Sequence, residues 1–206
     1  LAMGFSLIDQ YQKGACKGFN YQNFWSHSLL MAINMQELAK LTRVCAPDEL
    51  FACGLMAQIG NLALATIYPE KYSDLMEKKT PDQSMDELER QYLKTDHNEL
   101  TAAMLLSFGV PKIFVESIYY HDRPDESGFS EGSRPFHIVH LLYLGKQIAD
   151  FGLADESQRN MRISELLLLG GKIGLDTESF GALIDQVMKE WQLWGRMLKI
   201  SAAEML

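Results

Sequence analysis

The side chains that could do chemistry are histidines and acids spread over several predicted helices. His27 could ligate a metal, but it lies on an apolar helix face, where a histidine is more often hydrogen-bonded within the core. Glu89 and Asp96 could serve acid–base chemistry if they faced a cavity, although exposed or helix-capping positions are commoner for such acids. His137 and His140, three residues apart, are interpreted as loop-proximal surface or packing residues.

The element that must position His27 is a helix predicted over about 21–44. The apolar face that includes His27 recurs at helical spacing through Leu30, Met31, Asn34 and Leu38. This pattern directs His27 toward the interior of the protein.

Helical periodicity dominates the rest of the chain, and no convincing strand alternation is found, so we expect an all-α fold. Asp96 is a candidate N-cap, Gly109 a helix stop, and Ser84 with Glu87 has the spacing of a capping box. Residues 122–134 have the composition of a polar loop, and its acids Asp122, Asp125, Glu126 and Glu131 are interpreted as a solvated surface. The other expected helices cover about 2–15, 47–68, 69–79, 84–93, 96–109, 111–121, 135–151 and two segments after residue 160.

The end of the chain is a strongly amphipathic helix, expected over 176–204. Its apolar stripe should be buried against the main domain or against a second copy of the chain. The stripe consists of Phe180, Leu183, Ile184, Val187, Met188, Trp191, Trp194 and Leu198. We expect a main domain over residues 1–152, and a helical extension or connector to a further domain over 153–206.

Several ordered segments together resemble the HDOD domains, a signalling branch of the HD phosphohydrolase superfamily. The resemblance covers about 24–150 and implies an HD-domain-like helical bundle, normally with another helical segment upstream of residue 1. The segments that carry it are FWSHSLLMA (24–32), GLMAQIGNLAL (54–64), YPEKYSDL (68–75), ELERQYLKTDHNELTAAMLLSFGVP (87–111), IYYHD (118–122) and HIVHLLYL (137–144).

The parent hydrolases bind a metal through a His, an adjacent His-Asp pair and a late Asp, and the resemblance places these positions in this chain. His27 matches the first His, whereas Ala57 and Gln58 replace the pair and Tyr143 replaces the late Asp. Alanine has no donor atom, an amide lacks the carboxylate charge that hard divalent ions prefer, and a protonated phenol is a poor ligand. The parent mechanism cannot operate with these residues.

Two further histidines, His97 and His121, match extra histidines of HDOD and related cyclic-dinucleotide phosphodiesterase domains. If they converge with His27, three imidazoles and a water could hold zinc. The alternative is a polar network inherited from the metal site. We therefore regard His27, Ala57, Gln58, His97, His121 and Tyr143 as vestigial site positions.

Bulk composition narrows the function classes. A formal net charge of −8 argues against a general nucleic-acid or anionic-membrane surface. Three cysteines without a CxxC pair favour a reducing cytoplasm over a disulfide framework, and no apolar run approaches the roughly 18 residues of a membrane span.

The sequence thus favours a non-catalytic regulatory domain of bacterial signal transduction that has no cofactor. It would act on a protein partner or a covalently linked signalling domain, and self-association into a homo-oligomer is compatible with the sequence. The alternative is a metal-dependent phosphodiesterase that uses His27, His97 and His121. A third hypothesis is a sensor whose vacated cavity binds a nucleotide or another metabolite.

Overall fold

The structure, a computed structural model, describes residues 13–80, 82–198 and 200 of the chain. Helices account for 76% of these residues and none of them forms a strand, so the all-α prediction is confirmed. The helix expected over about 2–15 lies outside the described residues, apart from 13–15, which are not helical. The α-helices are α1 (Tyr21–Thr42), α2 (Pro47–Met56), α3 (Ile59–Ile67), α4 (Pro69–Lys78), α5 (Met85–Leu93), α6 (His97–Ser107), α7 (Lys112–Tyr119), α8 (Arg134–Leu153), α9 (Glu156–Lys172) and α10 (Thr177–Leu198).

Helix α1 lies at the centre of the core because its first fifteen residues carry no charged side chain except that of His27 when protonated. Its start is set by Asn20, whose side-chain oxygen accepts a hydrogen bond from the backbone N–H of Asn23 at 2.9 Å. α1 contacts α2, α8 and α10, and it buries its apolar side chains against all three. At Gly54 a Cβ would lie 2.8 Å from the Cα of Ala32, so only glycine allows α2 to approach α1 this closely.

The prediction of a single helix over 47–68 is wrong. The helix is interrupted by a turn at Ala57 and Gln58, so the segment forms α2 and α3 instead. Gln58 has φ −115° and ψ 18°, and its carbonyl accepts from the backbone N–H of Asn61 at 3.0 Å. The side-chain amide of Asn61 donates to the same carbonyl at 3.3 Å. This local hydrogen bonding replaces the helical ladder at the break.

The helices α3 and α6 cross at Gly60, where a Cβ would meet the carbonyl oxygen of His97 at 1.9 Å. The backbone N–H of Gly60 donates to Thr101 Oγ1 at 2.9 Å, which fixes this crossing. Asp96 caps α6 as predicted by accepting from the Glu99 backbone N–H at 2.8 Å. Gly109, with φ +75°, follows the helix as predicted, whereas Ser84 makes no capping hydrogen bond at the start of α5.

The two C-terminal helices pack back onto the main bundle, α9 against α8 and α10 against α1. The apolar stripe predicted on the last helix is buried or half-buried within the chain. This confirms the predicted packing of the stripe against the main domain. Trp191 is fully buried, and its indole N–H donates to the carbonyl of Ser26 at 3.1 Å. The part of the predicted helix beyond Leu198 lies outside the described residues, except for Ile200.

One stretch, Pro47–Ile67, is long and apolar enough by composition to cross a membrane, with a mean hydropathy of 1.7. It comprises α2 and α3, and 61% of its most apolar 18-residue stretch is buried inside the domain. This burial is the ordinary arrangement of core helices.

Candidate functional site

A cleft of about 800 Å³ opens between α1, the α2–α3 break, the start of α6 and one face of α8. Its volume lies in the range of small-molecule sites. The polar groups at its floor come from distant parts of the sequence: His27, Gln58, His97, Asp122, Tyr143, Lys146 and Asp150.

Helix α8 supplies one wall of the cleft through Tyr143, Lys146, Gln147 and Asp150. These residues follow one another at i, i+3, i+4 and i+7, so they project from a single face of the helix. Only Tyr143 was selected from the sequence. The same helical spacing starting from Tyr143 could have identified Lys146 and Asp150.

His27 forms a hydrogen bond with Asp150 that ties α1 to α8. The ring Nε2–H donates to Asp150 Oδ1 at 3.0 Å, and His27 is buried. Burial alone would raise the pKa of Asp150, but the hydrogen bond and charge of His27, aided by Lys146, lower it below its ordinary value. The other ring nitrogen, Nδ1, has no hydrogen-bond partner among the described residues.

His97 is held by Glu89, which lies wholly buried on α5. The Glu89 Oε2 atom accepts from the His97 backbone N–H at 2.8 Å and from the ring Nδ1–H at 2.6 Å. Burial favours neutral His97, but the nearby carboxylates of Asp122 and Glu89 outweigh it and raise the pKa of His97 to about 9. The interpretation of Glu89 as an exposed or capping acid is therefore wrong, since it is an internal counter-ion.

Asp122 lies at the centre of the polar network, so its interpretation as a solvated loop acid is wrong. Lys146 Nζ donates to Asp122 Oδ1 at 2.5 Å, and the Asn98 amide donates to Oδ2 at 3.2 Å. His97 Nε2 lies 3.5 Å from Oδ2, and His121 Nε2 lies 3.6 Å from Oδ1. Burial opposes ionisation of Asp122, but its positively charged neighbours His97 and Lys146 hold its pKa far below the ordinary value.

His121 is fully buried beside Asp122. Its Nδ1–H donates to the carbonyl of Ile118 at 2.6 Å, whereas Nε2 has no hydrogen-bond partner within the described part of the chain. Burial is the main cause of the lowered pKa of His121, which keeps this ring neutral at pH 7.

The six positions selected from the sequence are not equivalent in the structure. His27, Gln58, His97 and Tyr143 line the cleft, whereas Ala57 and His121 are fully buried and do not line it. His97 and His121 both approach Asp122, while His27 is joined to Asp150. His137 and His140 lie in a separate cleft, next to the C-terminal end of α9.

The donor groups present do not fit a divalent ion. The Nδ1–H of His97 donates to Glu89, and its Nε2 faces Asp122 Oδ2 at 3.5 Å. His27 and His121 each use one nitrogen for another protein group and keep the other without a partner among the described residues, but the two rings lie against different carboxylates, Asp150 and Asp122. No three His, Cys, Asp or Glu side chains among the residues that the structure describes adopt a metal-holding arrangement.

The sequence profile described as "HDOD domain" matches residues 1–124. Among solved structures, the MmoQ response regulator of Methylococcus capsulatus str. Bath is 32% identical with a TM-score of 0.74, and the match covers 87% of this chain and 67% of that chain. No match is found among curated proteins.

Two more distant structures share the fold. A proposed phosphohydrolase from Shewanella amazonensis SB2B is 24% identical, with a TM-score of 0.71 over 95% of this chain and 70% of that chain. An HDOD domain protein of unknown function from Geobacter sulfurreducens is 17% identical, with a TM-score of 0.68 over 93% and 67% of the two chains. Because the profile spans more than half of the sequence and agrees with the resemblance found in its motifs, this chain belongs to the HDOD domain family.

Proposed function

We propose that this HDOD domain is a non-catalytic regulatory module of bacterial signal transduction that acts through contacts with other proteins. The observation that carries the proposal is that three acids in or beside the cleft are each held by a basic side chain. Asp150 pairs with His27, Asp122 with Lys146, and Glu89 with His97. No three His, Cys, Asp or Glu side chains in the described part of the chain then converge as a ligand set for metal-assisted phosphoryl chemistry.

The family relationship supports this proposal. The response regulator from Methylococcus capsulatus belongs to a signalling class by its name, and this chain spans 67% of its length. We therefore propose that the partner is a separate protein or a signalling domain of the same polypeptide. Cys16, Cys45 and Cys53 are all unpaired and buried, which is consistent with a cytoplasmic location.

The alternative function is a metal-dependent phosphohydrolase that uses His27, His97 and His121. It would require three imidazoles with free lone pairs aimed at one point. In the structure His27 lies against Asp150, whereas His97 and His121 lie against Asp122, and no metal-holding group of His, Cys, Asp or Glu is found among the described residues, so no specific observation favours this alternative.

The test is a hydrolysis assay on the purified chain with Mn²⁺, Mg²⁺ or Zn²⁺. The substrates are bis(p-nitrophenyl) phosphate, p-nitrophenyl phosphate and a cyclic dinucleotide. We expect no turnover above the metal-only background, because the parent carboxylate ligands are replaced by Gln58 and Tyr143. Metal-dependent turnover that disappears in His27→Ala would overturn the proposal and favour the phosphohydrolase.

The protein-contact half of the proposal is tested by photo-cross-linking in cells. A benzoylphenylalanine is placed at the exposed apolar positions Tyr92, Leu106 and Leu168, with buried Leu29 as the matched control. We expect a discrete cross-linked product from at least one exposed position and none from the buried one. The absence of any product from all three positions counts against a protein-contact role on these surfaces.

A further inference from the structure

Lys146 is the feature of the cleft that neither the resemblance nor the paired histidines explain. Its side chain is three-quarters covered, and its ammonium lies 2.5 Å from Asp122 Oδ1. Burial would lower the pKa of Lys146, but Asp122, and after it Asp150, raise the pKa instead, so the ammonium is charged.

The surroundings of this ammonium are those of a cation site. Asp122 contacts the ammonium, Asp150 adds negative charge nearby, and Tyr143 lies one helical turn before Lys146 on α8. The fully buried Nε2 of His121, which has no hydrogen-bond partner among the described residues, lies 3.6 Å from the same Asp122 oxygen that Lys146 contacts. Carboxylates and an imidazole lone pair around one positive charge are the groups that normally surround a metal ion.

We propose that the Lys146 ammonium is an internal cation that takes over the charge-balancing role of the divalent ion expected from the parent hydrolases. The inference rests on the non-catalytic function proposed above, and it adds a cause: the cation site of the cleft is filled by the chain itself. The fold is then held together at this point by a side chain, without a metal. Lys146 joins α8 to the Asp122 turn that follows α7.

The geometry also explains why a lysine can do this. A Lys ammonium is a compact point charge on a flexible stem, so it can reach a carboxylate from a neighbouring helix without the ligand geometry that a metal demands. Removing the lysine leaves Asp122 facing His97 but without its closest counter-ion. Breaking a largely buried pair in this way is strongly destabilising.

The test measures thermal unfolding of the full chain carrying Lys146→Ala, with n-propylammonium chloride as the probe that fills the vacated space. We expect the Tm of Lys146→Ala to fall by about 10 °C and to rise again by several degrees in millimolar propylammonium. A Tm rise of this variant in Mn²⁺ would equally support a cation site. Lys146→Met fills the space without a charge and should show the loss but no rescue by the amine.

Two controls make the outcomes decisive. Lys112→Ala, whose side chain is 79% exposed, should change the Tm little and should not respond to propylammonium. Lys146→Met/Asp122→Asn removes both charges and should regain much of the lost Tm. Comparing Lys146→Met with this double variant also tests the inference if Lys146→Ala does not fold. A double variant no more stable than Lys146→Met would overturn the inference.

The inference and the proposed function fail in different ways. An unchanged Tm in Lys146→Ala, or a loss that propylammonium and Mn²⁺ both leave unaltered, overturns the internal-cation role while the non-catalytic function stands. A wild-type chain that binds Mn²⁺ or Zn²⁺ stoichiometrically, and loses stability with a chelator, overturns the metal-free function itself.

Discussion

Trp191 is the strongest attachment of the C-terminal helices to the domain, and its replacement gives a quantitative test of the packing. Its ring is fully buried on α10, and its indole N–H donates to the Ser26 carbonyl of α1 at 3.1 Å. Trp191→Ala removes the whole ring and leaves a cavity, which costs about 3–5 kcal/mol of unfolding free energy. Trp191→Phe keeps a ring but loses the hydrogen bond, worth about 1 kcal/mol, together with part of the packing.

The assay is equilibrium unfolding in urea followed by circular dichroism. With a slope of about 2 kcal/mol per molar urea, Trp191→Ala should lower the unfolding midpoint by roughly 1.5–2.5 M. Leu193→Ala, 47% exposed and two residues away on the same helix, is the control and should shift the free energy by at most about 0.5 kcal/mol.

The result also separates packing within one chain from packing between chains. Because the stripe is covered by its own domain, wild type and Trp191→Phe should have the same mass in light scattering. A Trp191→Ala midpoint within about 0.3 M of wild type would show that α10 does not stabilise the domain, and would refute the reasoning.

Three further changes test the site and its scaffold. The pKa of His97 is about 9 in the folded protein against 6.5 in the unfolded chain. Protonated His97 therefore stabilises the fold fully below pH 6.5, and about 3 kcal/mol of unfolding free energy is lost as the pH rises toward 9. In urea unfolding measured across this pH range, His97→Gln should no longer show this loss. The lowered pKa of His121 acts in the opposite sense, so stability falls as the pH drops below 6.5, and His121→Asn should flatten the acid side of the same series. Gly60→Ala should lower the free energy of unfolding by about 1–3 kcal/mol, because its Cβ would lie 1.9 Å from the His97 carbonyl oxygen. Gly181→Ala is the control: its Cβ would meet no atom within 4 Å, so it should stabilise α10 by about 0.5–1 kcal/mol.

The helices were predictable where local signals and periodicity agree. The residues around His27 repeat at helical spacing, and the predicted helix at 21–44 corresponds to α1 at Tyr21–Thr42. Asp96 and Gly109 marked the ends of α6 because capping chemistry is local. The break at Gln58 had no such signal, since it depends on hydrogen bonding to Asn61 and on the nearby crossing at Gly60.

The charge network of the cleft was much less predictable. Asp122 begins a segment rich in acids, glycine and proline, so its surroundings in the sequence indicate a solvated loop. Its partner Lys146 lies 24 residues away, and Asp150 lies 123 residues from His27. Pairings over such distances are created by helix packing, and periodicity within one segment carries no information about them.

The packing of Gly152 bears on how this protein can be shortened. A Cβ at this position would lie 2.5 Å from Leu30 Cδ2 and 3.4 Å from Met188 Sδ, so the end of α8 is wedged between α1 and α10. A chain cut after residue 152, at the boundary predicted from the sequence, would lose Val187, Met188 and Trp191 and would uncover the apolar surface of α1 beneath them. Uncovered apolar surfaces of this kind cause aggregation. We therefore expect a 1–152 polypeptide to precipitate on expression, whereas a chain that retains α10 stays in solution.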